Sequence, residues 1–544
     1  MLAINILRTV TIFFIKKCFC YNFKEDAEGI LTIYVTLDFG KYTIMSILKK
    51  LAGETLSYGF STILGRSLNF LLVFVHTWAF LPAELGVNVK LYGYVAIANI
   101  LYTYGMETAY FRFAKEAPEK YYQLIMTAII VTSGCFTLFL FLFADPIMVQ
   151  LGYPGKGIFL NWLALILAID AITAIPFAKL RLENKIRTFV KAKIVSILIN
   201  VGLNLFFLML LKPLQAGEIQ VDAPRFLRDL YSPGIGAGYI FLANLIANAS
   251  LFYWLSAEFK AYRWRWDWAE FKALWIYAYP IMFMSLAAMF NLMFDRLLLE
   301  SYLPAGFYPG KSSQEALGIY GNCYKLSVFM SLAIQAFKYS AEPFFLGKKT
   351  AENSKENLAL ITHWFVIVCT FLWVGVSCNL FWIKTLFLRR PIYWEGMGIV
   401  PVLLLANLFL GIYYTQSVWF KQTNKTYFGT LITLIGLGVT LVGNILFIPI
   451  YGYMACAYAF LASSMVMAGL CYLGGQKYSP TPYRWKSDLF YILLGALLIY
   501  GADALTTISP IPEFMNQNLA VLGLVSYVLI REFSWKTGKP TLID

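Results

Sequence analysis

The stretch FNLMFDRLLLE, residues 290–300, places an acidic and a basic side chain next to each other in an otherwise apolar sequence. The apolar run around it begins near Ala273 and ends near Leu303. A helix that crosses a bilayer needs about 20 predominantly apolar residues, so the run is predicted to span a membrane. A charge at the bilayer centre requires a partner or a hydrated cavity, which makes Asp295 and Arg296 candidates for function.

The composition extends this expectation to the whole chain. Of its 544 residues, 59% are hydrophobic and only 14% are charged, and the mean hydropathy is +0.65. A soluble domain carries roughly 25% charged residues. Because an ordinary core cannot bury this much apolar surface, we predict an all-α polytopic membrane protein.

Apolar windows of about 20 residues recur along the sequence. They predict about 14 transmembrane helices, at 54–81, 91–113, 121–143, 157–177, 189–211, 234–257, 273–303, 317–345, 358–387, 396–420, 427–448, 452–474, 487–505 and 516–531. The loops between these spans are short, so no soluble domain is predicted within the chain.

The basic residues orient these spans. With the residues after Met45 in the cytoplasm and the spans alternating, 26 lysines and arginines lie in or beside cytoplasmic loops and 9 lie on the opposite side. Positive charge concentrates in the cytoplasmic loops of membrane proteins. The bias predicts that both termini are cytoplasmic, and it accounts for the net charge of +14 without nucleic-acid binding.

The sequence also repeats internally. NFLLVFVHTWAFLPA (69–83) aligns with NLMFDRLLLESYLPA (291–305), so the first asparagine and the closing Leu-Pro-Ala coincide. A second alignment pairs four polar residues of each half: Arg181, Asn184, Lys185 and Asn204 with Lys421, Asn424, Lys425 and Asn444. Each repeat holds six spans, an even number, so both halves face the same way. Parallel repeats of this kind are typical of transporters that bind substrate between the halves.

These observations divide the chain into four predicted parts. Two six-helix lobes, 45–260 and 261–480, are related by a parallel pseudo-twofold repeat, and 481–544 adds two helices and a cytoplasmic tail. Residues 1–44 differ from the rest and precede MSILKKLAGETL, which opens at Met45 as a membrane protein start would. We interpret 1–44 as an extension from a mis-assigned start. The alternative is an additional interfacial or signal segment.

Four stretches carry a resemblance to a known superfamily: IPFAKLRLENKIRTFVKAKIVSILINVGLN, YPIMFMSLAAMFNLMFDRLLLESYL, LGIYGNCYKLSVFMSLAIQAFKYSAEPFF and GNILFIPIYGYMACAYAFLASSMV. In this order they resemble polysaccharide exporters, or O-antigen flippases, of the multidrug/oligosaccharidyl-lipid/polysaccharide (MOP) flippase superfamily, over 46–535. Fourteen spans suit the polysaccharide and lipid II branches better than the twelve-span drug antiporters. The resemblance implies transport of a lipid-linked oligosaccharide, built on polyprenyl pyrophosphate, across a bacterial inner membrane for lipopolysaccharide or another surface polysaccharide.

The resemblance also implies a central cavity with cationic residues from spans 1, 2, 7 and 8. The candidates for binding substrate are Arg66, Arg112, Arg296, Lys325 and Lys338. Arginine suits a pyrophosphate because its planar fork binds two oxygens at once. Two alternatives stay open: Arg66 pairs with an acid such as Glu107, or Lys338 only extends to the cytoplasmic interface.

Four acidic residues are candidates for a coupling-ion site or for structural ion pairs: Asp295, Glu107, Asp170 and Glu342. Asp295 and Arg296 point about 100° apart on a helix, so they cannot easily satisfy each other. Asp295 either bridges to Lys325 on span 8, or supports Arg296 and carries a coupling ion, H+ or Na+. Asp170 and Glu342 are expected in packing or gating ion pairs.

Other function classes are disfavoured by what the sequence lacks. It has no GxxxxGK[ST] motif, so an ion gradient or the membrane potential is expected to drive transport rather than ATP. Its two histidines lie far apart and its eight cysteines form no CxxC pair, so no metal or cofactor is predicted. The short loops argue against an enzyme such as a polymerase or glycosyltransferase. Membrane lipids and polysaccharide polymerase components remain candidate partners, and a lipid II flippase and a cation-coupled drug antiporter remain alternatives with the same fold.

Reporter fusions test the topology. Fusions after Lys212 and after Ser312 should report an external location, and fusions after Lys185, Lys349 and Lys425 should report a cytoplasmic one, because the basic loops stay in the cytoplasm. An alkaline phosphatase and green fluorescent protein pair measures this at each site. A cytoplasmic signal after Ser312 would contradict the arrangement in two parallel lobes.

Overall fold

A computed structural model of the chain describes residues 20–25, 31–36, 54–218, 224, 228–340, 354–423, 425–508 and 513–533. From residue 54 onward the described part consists of helices and their connections, which confirms the all-α membrane fold. A two-stranded antiparallel hairpin precedes the helices, with β1 at Cys20–Glu25 and β2 at Leu31–Thr36. It falls in the part predicted as an N-terminal extension.

The first half contains six helical segments. They are α1 (Glu54–Ala79), α2a (Pro82–Thr103) with α2b (Met106–Phe113), α3 (Pro118–Leu142), α4 (Gly157–Leu182), α5 (Ile186–Gln215) and α6 (Gly236–Trp254). Short helices at Ala144–Gln150 and Ser256–Lys260 follow α3 and α6. The end of α5 includes a π-helical stretch at Leu205–Leu211.

The second half and the C-terminal pair contain eight more segments. They are α7 (Trp268–Tyr302), α8a (Ser313–Lys325) with α8b (Val328–Ser340), α9 (Ser354–Cys378), α10 (Pro391–Gln422), α11 (Tyr427–Tyr451), α12 (Tyr453–Tyr478), α13 (Trp485–Ile508) and α14 (Glu513–Val528, extended by a π-helical turn at Leu529–Phe533). A short helix at Leu380–Phe387 precedes α10.

Among the described residues, ten helices are long and apolar enough to cross a membrane. Shorter apolar helices at Ile63–Ala79 and Val328–Lys338 lie in α1 and α8b. The protein is therefore a multi-pass membrane protein. A helix is the structure a bilayer requires, because it satisfies its backbone hydrogen bonds within one segment.

Local sequence explains where the segments begin. Pro82 occupies the first turn of α2a, where its missing N–H leaves no helical hydrogen bond unmade. A capping box starts α8a: the Ser312 side chain accepts from the Glu315 backbone, and the Glu315 carboxylate accepts from the Ser312 backbone. The second span was predicted to begin at residue 91, which is wrong, because the helix already begins at Pro82.

The contacts between helical segments of the first half recur between the segments six positions later in the chain. α1 packs against α5 as α7 packs against α11, and α4 and α5 pack against α6 as α10 and α11 pack against α12. Asn200 Nδ2 donates to Asn69 Oδ1 at 3.3 Å, and Thr440 Oγ1 donates to Asn291 Oδ1 at 2.5 Å. The two sequence alignments match exactly these positions, so one helix contact is bridged by hydrogen bonds in both halves. The lobe boundaries themselves stay a prediction.

The two halves meet through glycines. α2a packs against α8a and α7, and α1 packs against α8b. A Cβ atom on Gly318 would overlap the carbonyl oxygen of Pro82, and one on Gly321 would overlap the side chain of Val89. Small residues let membrane helices approach closely, so these glycines set the distance between α2a and α8a.

The C-terminal helices dock through a buried histidine. His363 on α9 places Nδ1 2.5 Å from Asp488 Oδ1 of α13 and Nε2 3.5 Å from Glu532 Oε1 after α14. The Tyr491 hydroxyl donates to the same Glu532 oxygen at 2.7 Å. The histidine side chain is 1% exposed, so this cluster links the last two helices to the second half by polar contacts within a nearly dry interface.

Replacing this histidine tests that link. His363→Leu removes the group shared by two carboxylates and should lower the stability of the purified protein by about 3–5 kcal/mol, the usual cost of breaking a buried ionic cluster. Tyr491→Phe removes one hydrogen bond and should cost only about 1 kcal/mol. Thermal unfolding in detergent measures both. Equal melting temperatures for the wild type and His363→Leu would show that α13 and α14 dock without the cluster.

Candidate substrate cavity

A cavity of about 780 Å³ lies between the two halves. Residues of α1, α2a, α5 and α6 form one wall, and residues of α7, α8a, α8b and α10 form the other. The cavity thus occupies the interface that transporters with parallel repeats use for substrate. Its size falls within the range of pockets that bind small organic ligands.

Four of the five predicted binding residues line this cavity. Arg66 comes from α1, Arg296 from α7, and Lys325 and Lys338 from the two parts of α8. Among the described residues that line it, none is an aspartate or glutamate. Positive charge on low-dielectric walls focuses the electrostatic potential into the space between them. The cavity therefore favours an anionic ligand.

The Asp295–Arg296 pair divides between two environments. Asp295 is 4% exposed, and its Oδ2 accepts a hydrogen bond from the Tyr320 hydroxyl at 2.5 Å. The Arg296 guanidinium lies 4.1 Å from the ring centroid of Tyr324, and its Nη1 lies 2.7 Å from the sulfur of Met293. The helix separates the two side chains as expected, so the arginine meets the cavity while the aspartate packs inside the second half.

Lys325 contacts a neutral group. Its Nζ donates to Asn322 Oδ1 at 3.1 Å, so the predicted bridge from Asp295 to Lys325 is not formed. Lys338 lies over the Tyr414 ring, with Nζ 3.3 Å from the centroid. The expectation of one continuous helix between the lysines is wrong, because α8a ends at Lys325 and α8b begins at Val328. Both lysines nevertheless line the same cavity.

Arg112 lies away from the cavity. Its guanidinium is 4.5 Å from the ring centroid of Tyr277, at the contact between α2b and α7. α2 breaks at Tyr104 and Gly105, which both have positive φ, at 31° and 78°. The lining residues of α2a end at Gly93, well before this break, and Arg112 is not among the lining residues, so the structure does not bring Arg112 to the cavity.

The predicted acids other than Asp295 have separate surroundings. Glu107 pairs with Arg181, so the alternative in which it pairs with Arg66 is not formed. Asp170 Oδ1 accepts from Asn248 Nδ2 at 2.9 Å. Glu342 lies outside the described residues.

An ion-pair network joins the start of α3, the end of α4 and the short helix that follows α6. Lys179 of α4 pairs with Glu119 of α3 at 2.8 Å. In the α4–α5 loop, Lys185 donates to Glu183 at 2.7 Å and lies 3.6 Å from Glu258. The hydrogen bond that Lys185 donates to Glu183 raises the pKa of Lys185 above its ordinary value. These pairs lie at those ends of the first six helical segments that the distribution of basic residues predicts to be cytoplasmic.

Polar groups also lie inside the second half, between α7, α11 and α12. Asn291 Oδ1 accepts from Thr440 Oγ1 at 2.5 Å and from Ser463 Oγ at 3.2 Å. Asp295 follows one helical turn after Asn291 on α7, and both are buried. The second half therefore encloses one carboxylate within a polar interior behind the cavity wall.

Sequence reasoning missed one buried charge, Lys90. It was placed in a loop, but it lies within α2a, and its side chain is 7% exposed. Its Nζ is 3.1 Å from Glu300 Oε2 of α7, and the Tyr153 hydroxyl donates to the same oxygen at 2.6 Å. The helix start at Pro82 was the available signal, because a helix that begins there carries Lys90 into its third turn.

Comparisons with known proteins agree with this architecture. A family profile described as "Polysaccharide biosynthesis protein" matches residues 80–215, from the end of α1 to the end of α5. No curated protein matches the chain in sequence. The profile covers only part of the chain, whereas the solved structures below match most of it.

These structures are those of membrane transporters. The lipid II flippase MurJ, in an inward closed conformation, superposes with a TM-score of 0.66 at 14% identity, over 88% of this chain and 99% of its own. An inward-facing multidrug resistance MATE family transporter gives 0.55 at 12% identity, over 78% and 97%. A variant of the Vibrio cholerae MATE transporter VcmN gives 0.55 at 17% identity, over 80% and 97%. The chain therefore has a transporter fold.

The particular fold is that of the MOP superfamily, to which the MATE transporters belong by description. The resemblance to this superfamily that the four sequence stretches predict is confirmed at the level of the fold.

The missed ion pair supplies a stability test. Glu300→Gln leaves Lys90 buried without its carboxylate and should lower the stability by about 3 kcal/mol, as for other broken buried pairs. Adding Lys90→Met removes the stranded charge, so the double variant should recover most of the loss. Thermal unfolding in detergent measures both proteins. A double variant no more stable than Glu300→Gln would show that the pair does not act as a unit.

Proposed function

We propose that the protein is a flippase that moves a polyprenyl-pyrophosphate-linked oligosaccharide from the cytoplasmic to the outer leaflet of a bacterial inner membrane. The observation that carries the proposal is the cavity between the halves, with four cationic side chains and no acidic one among its described lining residues. The pyrophosphate and the sugars would enter this cavity. The lipid tail would stay in the bilayer.

The contacts of the cations support a phosphate ligand. The Arg296 guanidinium contacts a ring and a sulfur and is partly balanced by the charge of the neighbouring Asp295, and Lys325 contacts an amide oxygen. An incoming pyrophosphate brings two negatively charged groups and replaces these weak contacts with charge-assisted hydrogen bonds. The arginine fork adds geometric selectivity for phosphate oxygens.

The positive charge of the cavity distinguishes between the other functions considered for this fold. A lipid II flippase would also bind a lipid-linked pyrophosphate, and the MurJ superposition favours this second candidate. A drug antiporter that binds cations would face four positive side chains, which repel such a substrate. An enzyme of polysaccharide assembly is disfavoured because the carboxylates described above take part in structural contacts away from the cavity.

Coupling to H+ or Na+ completes the proposal. Asp295 is the buried carboxylate next to the cavity arginine on α7, and its backbone neighbour Arg296 responds to the substrate. An ion bound at Asp295 would change the charge balance of the same helix turn that contacts the pyrophosphate. The proposal puts both termini in the cytoplasm, as the distribution of basic residues predicts.

Substitution of Arg296 tests the function. Arg296→Ala removes two charge-assisted hydrogen bonds and should reduce transport of a lipid-linked oligosaccharide in proteoliposomes about tenfold to a hundredfold. Arg296→Lys keeps the charge but loses the fork, so it should reduce transport less. Arg389→Ala is the matched control, because Arg389 is exposed and packs on Phe74 outside the cavity lining.

Two outcomes of this test would contradict the proposal. Wild-type protein that moves no lipid-linked glycan, although folded and reconstituted, would exclude the function. Full transport by Arg296→Ala and by Arg66→Ala would exclude the cationic cavity as the route. Leaflet-specific enzymatic cleavage of the glycan measures transport in both cases.

A further inference from the structure

The two walls of the cavity differ in chemistry. Three of its four cations, Arg296, Lys325 and Lys338, belong to the second half. Five asparagines belong to the first half, Asn69, Asn88, Asn200, Asn204 and Asn244, whereas the second half contributes two amides, Asn407 and Gln335. The wall formed by these five asparagines is called the amide wall below. An amide offers both donors and acceptors, whereas arginine and lysine offer donors only.

A chain of hydrogen bonds runs along the amide wall. Asn204 Nδ2 donates to Asn200 Oδ1 at 3.1 Å, and Asn200 Nδ2 donates to Asn69 Oδ1 at 3.3 Å. Asn204 Oδ1 lies 2.9 Å from His76 Nε2. An amide oxygen only accepts, so His76 must carry its proton on Nε2 and donate. The hydrogen bonds therefore run in one donor direction, from His76 on α1 to Asn204 and Asn200 on α5, and then to Asn69 on α1.

This chain ends on an open donor. Asn69 is exposed in the cavity, and its Nδ2 makes no hydrogen bond to the residues that the structure describes. The equivalent Asn291 in the second half is 5% exposed and accepts from Thr440 and Ser463. Polar residues often hold membrane helices together, and Asn291 fits that role. Asn69 differs because its amide nitrogen, Nδ2, has no partner among the described residues and is available to a ligand in the cavity.

An open acceptor lies on the same wall. Asn244 Nδ2 donates to the Tyr92 hydroxyl at 3.2 Å, and its Oδ1 has no hydrogen-bond partner among the described residues. Asn88 Nδ2 donates to the Ala237 carbonyl at 2.9 Å, but its Oδ1 is fully buried and is not accessible from the cavity. The open donor of Asn69 and the open acceptor of Asn244 therefore suit a ligand that donates as well as accepts.

We propose that the amide wall binds the uncharged sugar residues next to the pyrophosphate, while the second half binds the phosphates. The proposal rests on the function proposed above. Phosphate oxygens only accept, so a pyrophosphate against this wall would face the open oxygen of Asn244. Sugar hydroxyl and N-acetyl groups donate and accept, which matches the open groups of Asn69 and Asn244.

In this assignment, the cations provide the affinity for the pyrophosphate and the amide wall provides the selectivity for the glycan. The cations hold any polyprenyl pyrophosphate, and the amide wall distinguishes glycans by the positions of their hydroxyl and amide groups. Sites that hydrogen-bond a hydroxyl discriminate strongly against ligands that lack it, because the polar groups of the protein are then left unpaired. A change in the amide wall should thus alter which glycan binds before it alters whether a pyrophosphate binds.

Binding of two ligands tests this assignment. The ligands are polyprenyl pyrophosphate and the same lipid carrying an N-acetylated disaccharide, and native mass spectrometry measures both dissociation constants. Asn69→Ala and Asn244→Ala should each weaken binding of the glycosylated lipid about threefold to tenfold, the effect of one or two hydrogen bonds. Binding of the sugar-free lipid should change less than twofold. Asn379→Ala is the control, because that amide bonds to the Gly375 carbonyl of its own helix outside the cavity lining.

The outcomes separate the two proposals. An equal loss for both lipids, or no loss for either, would overturn the sugar assignment. Wild-type protein that binds both lipids equally well would also overturn it, while the flippase proposal would stand. Wild-type protein that binds neither lipid would overturn both. Asn69→Ser, which keeps a small polar side chain, and the elution profile of each variant exclude misfolding as the cause.

Discussion

The cost of placing positive charge inside a membrane governs this structure. Arg66, Arg296, Lys325 and Lys338 converge on one cavity whose described lining contains no acid. A central charge costs about 2.5–3.5 kcal/mol on translocon insertion scales, so each of these side chains requires a protein partner, water or a bound anion. The space between the two helical halves has room for water or an anion. Close glycine contacts between α2a and α8a bound that space on one side.

The internal repeat forms an equivalent polar contact in each half, but the two contacts have different surroundings. The Asn69–Asn200 contact in the first half and the Asn291–Thr440 contact in the second join equivalent helices. In the second half a further donor, Ser463, completes the site and closes it. In the first half the amides face the cavity. The pseudosymmetric scaffold thus places five amides and one cation, Arg66, on the first-half wall and three cations on the second-half wall.

Hydropathy and charge predicted much of this from sequence. The fourteen apolar windows correspond to the helical segments, because each must satisfy its backbone hydrogen bonds alone in lipid. Stranded cations inside these windows identified four cavity residues. The pairing of charges was not predictable, because it depends on which helix faces meet. Lys90 was missed because the second span was predicted to begin after it, and Arg112 was misplaced because the part of this span that lines the cavity ends at Gly93.

The most direct test of a hydrated, phosphate-binding cavity is thiol labelling of Ser331→Cys, a lining position that leaves the four cations in place, in a protein without its eight native cysteines. We expect a membrane-impermeant, water-soluble thiol reagent to label this position in detergent-solubilised protein. Polyprenyl-pyrophosphate-linked oligosaccharide should slow the labelling, whereas the uncharged polyprenol should not. A position that is never labelled, or labelling that neither lipid slows, would contradict the account that this cavity receives the substrate.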